Sequence, residues 1–188
     1  MIVKNEQNLT EKGVGVYKTQ GVILKKTELS QTDRLLTVYT QSNGKILVRA
    51  KGIGKKESKL KSLTEPFNWC EFMLAKSKTI DVLAGVYPIK EFGYLRGNLS
   101  SLAYAFYFAE LIDKMVVAPE RDDNLWRLIL RAFEVLNQKR DDLPKIKTLF
   151  EQKLLEFLGH GKPTKKTAPE IIQELVGERI RAEKFLHQ

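Results

Sequence analysis

Apolar and β-branched residues gather into five short runs along the first half of the chain, whereas beyond about residue 98 they recur every three or four positions. The first pattern has the period of strands, the second that of helices. The strand-like runs are 14–26, 33–40, 45–51, 67–75 and 79–92. The second and third flank Ser42, Asn43 and Gly44, and an Asn-Gly pair favours the positive φ angles of a hairpin turn, so these two pair antiparallel. The fourth and fifth are joined through Lys76, Ser77 and Lys78, again short enough for a hairpin. Pro88, which has no N–H to give to a ladder, marks an edge or a bend late in the fifth run. Between the third and fourth runs, residues 58–64 predict one or two helical turns before Pro66, a plug or connector for a small barrel. Five short strands with a break after the third fit an OB-like barrel better than a sandwich, which usually needs about seven strands. An SH3-like barrel is the structural alternative.

In the back half, a helix over 99–117 begins at Asn98 and carries Leu102, Ala105, Phe106, Ala109, Ile112 and Met115 on a wide apolar face. Asp122 and Asp123 offer N-terminal caps for a helix over 124–138, whose stripe runs from Leu125 and Trp126 to Phe133 and Leu136. Asp142 with Pro144 opens a third helix, closed at Gly159, and 169–186 reads as a fourth. The expected fold class is α+β: an N-terminal five-stranded OB-fold barrel over 17–95, then an all-helical domain over 96–188. Residues 1–16 form an N-terminal extension, mobile or strand-extending.

Charge changes this picture from a fold to a surface. From Lys45 to Lys61 the chain reads KILVRAKGIGKKESKLK, seven basic residues against one acid, Glu57. Up to Leu95 there are 16 basic and 9 acidic residues, net +7, and from Arg96 onward 16 and 14, net +2. The front half therefore seeks polyanions, and a glycine-hinged basic segment beside a strand is the footprint of a surface that follows phosphates. A solvated lysine face that only keeps the protein soluble is the plainer alternative. Tyr39, Phe67, Trp69 and Phe72 are the strand aromatics that could stack on bases, but side chains of this kind usually point into the core.

Catalytic constellations are missing. The chain has no Walker-type glycine loop, no HExxH and no paired-cysteine motif; Gly52-Ile53-Gly54 lacks the further glycine and long helix of a nucleotide fingerprint. Cys70 is alone, so no intrachain disulfide forms, and with His160 and His187 it makes no four-ligand zinc set. Front-half acids are dispersed rather than clustered for metal-dependent cleavage. An enzyme is not expected, and no cofactor is implied. No run reaches the roughly 18 apolar residues of a membrane span, and the first residues lack the apolar core of a signal peptide, which predicts a cytoplasmic protein.

The run TQGVILKKTELSQTDRLLTVYTQSNGKILVRAKGIGKKESKLKSLTEPFNWCEFML resembles the RecO family of bacterial recombination mediators, in the order TxGxVL, an acid and DRLLT, GK, AKG, S-x-L and L-x-E-P-F. The likeness continues through AYAFYFAELIDK and LFEQKLLEFLG into LVGERIRAEKFL, and covers nearly the whole chain beyond about Tyr17. It implies an OB-fold followed by helices, binding of single- and double-stranded DNA, and annealing of complementary strands. It further implies cooperation with RecR and single-stranded DNA-binding protein in loading RecA, and a cytoplasmic, nucleoid-associated location. Many family members carry a four-cysteine zinc motif after the LEFLG-like segment; here 159–169 is a short basic linker, GHGKPTKKTAP, so no metal is expected.

Candidate phosphate contacts are Arg34, Lys45, Arg49, Lys51, Lys55, Lys56, Lys59 and Lys61, with strand alternation free to turn some of them away. The family's single-stranded DNA-binding partner ends in an acidic tail with a terminal apolar residue, whose receptor needs an apolar notch rimmed by cations. Arg127, Arg131, Lys139 and Arg140, on and after a leucine-rich helix, are the candidates for it. An RNA-binding or ribosome-associated OB protein and a protein adaptor with an incidental basic face are the rival readings.

Overall fold

The computed structural model describes residues 15–161 and 166–186. Most of the expected N-terminal extension, linker residues 162–165 and His187 lie outside the described residues. Five strands, β1 (Val16–Glu28), β2 (Arg34–Thr40), β3 (Gly44–Ala50), β4 (Trp69–Ala75) and β5 (Asp81–Lys90), close in the order β1-β2-β3-β5-β4, with β4 returning to β1. Every pairing is antiparallel except β3 with β5, which meet in parallel at Val48↔Asp81 and Arg49↔Val82. This is the OB arrangement, and the SH3-like alternative falls away. Pro88 sits where the β4–β5 register slips between Trp69 and Cys70, so its missing N–H meets an irregularity rather than a regular ladder.

β1 is buried on both faces, which explains its unbroken apolar run. Ile23 enters the barrel interior with Leu36, Val38, Val48, Phe72 and Leu74, while Val22 and Leu24 point outward into a second core shared with the helices. The strand pairs with β2 and β4 at once, and at Gly21 a Cβ would come within 2.7 Å of Val38 Cγ1 and 3.1 Å of the Tyr39 carbonyl oxygen. Only glycine fits that approach. Cys70 lies in the barrel interior, where burial pushes its thiol up to about 12, so it packs as a small hydrophobe.

The helical half begins with a short α1 (Gly93–Gly97) that periodicity did not reveal, followed by α2 (Leu99–Met115), α3 (Asp123–Leu136), α4 (Leu143–Phe157) and α5 (Ala168–Val176). Asn98 caps α2 through the Ser101 amide, and the Asp122 carboxylate accepts from the amides of Asn124 and Leu125 at 2.6 and 3.0 Å. The continuous fourth helix expected over 169–186 is instead two pieces. Gly177 adopts φ +68°, ends α5 in a left-handed cap, and a 3-10 segment Arg181–Phe185 follows. Inside the bundle, the fully buried carboxylate of Glu151 accepts from the Tyr107 hydroxyl and from Lys147 Nζ at 2.6 Å, which satisfies a charge that burial would otherwise penalise. Burial and that carboxylate together push the Tyr107 hydroxyl's pKa well above the usual tyrosine range.

The two halves meet through aromatic rings. Phe67, held at φ +72°, leaves the barrel wall and packs against Phe106 and Phe133 at centroid distances of 4.9 and 5.4 Å, Trp69 stands edge-on to Trp126, and Phe92 touches Phe133. Polar ties join them: the Tyr39 hydroxyl donates to the Asp122 carbonyl at 3.3 Å, and Arg96 donates to Asn68 Oδ1 at 2.8 Å.

Candidate nucleic-acid interface

The basic segment between β3 and β4 forms isolated turns at the place expected for them rather than a continuous helix, with Lys61 N donating to the Ser58 carbonyl and Thr64 N to that of Leu60. Its sequence alternates in purpose. Ile53, Leu60 and Leu63 turn inward and pack on the barrel core, while Lys51, Lys55, Lys56, Lys59 and Lys61 stay exposed. Burying an ammonium group is costly, so the apolar residues plug the barrel and the lysines are left outside. Among the described residues none of these five lysines has an ion pair or a hydrogen bond through its side chain. Glu57, the one acid among them, is exposed as well.

The other three candidates have different surroundings. Lys45, Leu47 and Arg49 alternate on the outer face of β3, opposite Tyr39, Thr37 and Leu35 of β2. At the helical end of this face Lys45 is half-buried; its Nζ donates to the Asp113 carbonyl, and desolvation lowers its pKa. At the loop end Arg49 donates to the Asp33 carboxylate at 2.8 and 3.2 Å. Arg34 is largely covered: its guanidinium donates to the carbonyls of Ser30 and Asp33 and pairs with Glu28 at 3.0 Å. Arg34 and Lys45 are therefore occupied in holding loops and helices.

The Asp-Arg pair that opens β2 fastens two loops together. The second oxygen of Asp33 accepts the Gly52 amide at 3.0 Å, and Gly54 N donates to the Thr32 carbonyl at 2.7 Å. Gly52 supplies a positive φ of 68°, and a Cβ on Gly54 would press on Arg34 Nη1 and the Gln31 carbonyl at 2.8 and 2.9 Å. The Gly-x-Gly that fails as a nucleotide motif is the hinge that seats the basic loop on the β1–β2 loop. Hydrogen bonds from Arg49, then from the Gly52 amide, hold the Asp33 carboxyl below its ordinary value of 3.8. A depressed carboxyl stabilises the fold above the unfolded-state pKa and loses that effect as pH falls through the folded-state one. Asp33→Asn should therefore lower the melting temperature at pH 7, and the gap from the parent should close as pH drops below about 4. A gap that persists at low pH would assign the effect to packing instead.

On the helical half, α3 and α4 enclose a groove of about 360 Å³ with an apolar floor that includes Leu128, Val135, Ile146 and Leu149. Arg131 and Arg140 are on its rim; Arg127, bonded to Asn124 at 2.8 Å, and Lys139 do not line it. Arg140 is engaged by Asp142 at 2.9 and 3.0 Å. Two rim cations that sequence reasoning missed are Lys145 and Lys153, four residues to either side of the exposed Leu149 on one face of α4. That spacing was the available signal.

These features define an OB-fold protein with a cationic loop over one end of its barrel and a cation-rimmed apolar groove on an attached helical bundle. Family comparison identifies it further: the model described as recombination protein O N terminal matches residues 15–92, and that described as recombination protein O C terminal matches residues 96–166. The chain belongs to the RecO family of DNA repair and recombination proteins. It is 30% identical over 144 residues to a DNA repair protein RecO of Alkaliphilus metalliredigens, covering 77% of this chain and 58% of that one. It is 28% identical over 173 residues to that of Clostridium novyi, 92% and 65% of the two chains, and 32% identical over 144 residues to that of Desulforamulus reducens, 77% and 56%. The chain thus spans about three fifths of the length of these relatives. No helix among the described residues is long and apolar enough to cross a membrane, and none of their His, Cys, Asp and Glu side chains gather in a group of three suited to a metal.

Proposed function

We propose that this chain is a non-enzymatic recombination mediator that binds single- and double-stranded DNA, anneals complementary strands and assists the loading of RecA onto strands coated by single-stranded DNA-binding protein. The observation that carries this reading is the set of five exposed, unpaired lysines fixed on the end of an OB barrel by an apolar plug. Cations on one rigid surface neutralise phosphates of two strands together, lower their mutual repulsion and release counterions. RecR, as in the family at large, is the expected protein partner of the mediator complex.

The test is to mix the protein with labelled complementary strands, bare or coated with single-stranded DNA-binding protein, and to follow duplex formation. Acceleration in both cases is expected, fading steeply as salt rises. Binding of strands with no gain in rate would leave a holder of nucleic acid rather than a mediator.

The groove between α3 and α4 is proposed as the receptor for the acidic tail of single-stranded DNA-binding protein. Its apolar floor suits the terminal apolar residue and its rim suits the acids; neither Arg131 nor Lys145 has a direct ion pair among the described residues, though Lys145 is within electrostatic reach of Asp142. Arg131→Glu with Lys145→Glu should weaken binding of a tail peptide about tenfold or more, whereas Arg127→Glu should change it little. Indifference to the double reversal would move the tail to another surface.

A further inference from the structure

Resting on the reading of the basic loop as a strand-binding surface, we propose that this surface grips the sugar–phosphate backbone alone, leaving the bases of a bound strand unstacked by the protein and free to pair. OB barrels that hold single strands usually combine a positive groove with aromatic platforms on which bases stack. Here the positive surface is present and the platforms are committed elsewhere. Tyr39, Phe67 and Phe72 are fully buried, and Trp69 stands against Trp126. Residues 45–66, which supply the loop, contain no aromatic residue. The outer face leading to it presents Lys25, Thr27, Leu35, Leu47 and Arg49, and the Arg49 guanidinium is fixed by Asp33.

Exposed rings elsewhere among the described residues do not repair the deficit. Of these four, Tyr94 on the short α1 and Phe185 in the closing 3-10 segment belong to the helical half rather than to the barrel that carries the loop; the other two are Tyr87 and Phe106. Tyr87 lies on β5, across from Glu71 of β4, with Lys18 Nζ 6.0 Å from its ring. Phe106 borders a cleft of about 420 Å³ at the junction of β1 and α2, but the lysines there are already paired, Lys25 with Asp113, Lys26 with Glu65 and Lys114 with Glu110 and Glu178, and the remaining cation, Arg181, acts on Glu178 as well. That cleft offers a strand little net charge. The ligand class of the basic surface is therefore the phosphodiester polyanion itself, with or without bases.

The test compares a single strand of about 30 nucleotides with an abasic tetrahydrofuran polymer of equal length, by fluorescence anisotropy on the whole protein across a salt series. Equal affinity within about twofold and equal salt slopes are expected, since a single lost stacking contact typically costs roughly tenfold. Inorganic polyphosphate of matching charge should displace both. Abasic binding weaker by about tenfold, or a comparable loss for the ordinary strand on Phe106→Ala or Tyr87→Ala, would overturn the proposal. A protein that binds neither polymer would overturn the strand-binding reading beneath it, which is a different result from discrimination between the two.

Discussion

Gly44→Ala is expected to lower the melting temperature by roughly 6–12 °C, the shift that about 3 kcal/mol produces in a chain of this size. Two independent costs combine. Gly44 closes the β2–β3 hairpin at φ +63°, where a side chain is strained by about 1–2 kcal/mol. An added Cβ would also lie 2.0 Å from the Glu120 carbonyl oxygen and 2.5 Å from its carbon, in backbone that leads into α3. Overpacking against backbone adds about 1–3 kcal/mol. Gly52→Ala is the internal comparison, because it shares the positive φ of 68° but meets nothing nearer than Lys55 Cε at 3.9 Å. Equal losses in the two variants, by thermal unfolding under one set of conditions, would show that the hairpin does not bear on the helical half.

Changing Lys55, Lys56 and Lys59 together to alanine should weaken DNA binding about tenfold or more at low salt and make the salt dependence shallower by about 2–3 in slope. All three are exposed and without ion pairs among the described residues, so the melting temperature should stay where it is. The loss should be alike across unrelated sequences, because phosphate contacts carry no base information. If affinity and slope both survive, these lysines serve only solubility.

The hairpin at Asn43-Gly44, the strand runs and the three long helices were legible because turn chemistry, alternation and capping act locally. The exposure of the loop lysines was equally legible, since an unpaired ammonium has nowhere else to go. What escaped belongs to tertiary neighbours. Alternation places Lys45 on the outer face of β3 but cannot say that α2 covers that end of it. The internal roles of Arg34 and Asp33 depend on two loops far apart in sequence meeting at Gly52 and Gly54. In the helical half, the apolar period runs on through Gly177, whose left-handed cap ends α5, and Lys145 and Lys153 reach the groove rim only because α4 packs beside α3.

The aromatic seam between barrel and bundle has a consequence for handling and for energetics. Severing the chain between Leu95 and Arg96 would strip the cover from Val22, Leu24, Tyr39, Phe67 and Phe92 on one piece and from Phe133 and Trp126 on the other. Apolar patches of that kind drive aggregation, so neither piece is a dependable reagent by itself. In the intact protein the same seam should couple the two halves so that they melt together. An oligonucleotide that binds at the lysine loop, as proposed, should then protect the distant helices from heat as much as the strands it touches, through mass action on a shared unfolding equilibrium.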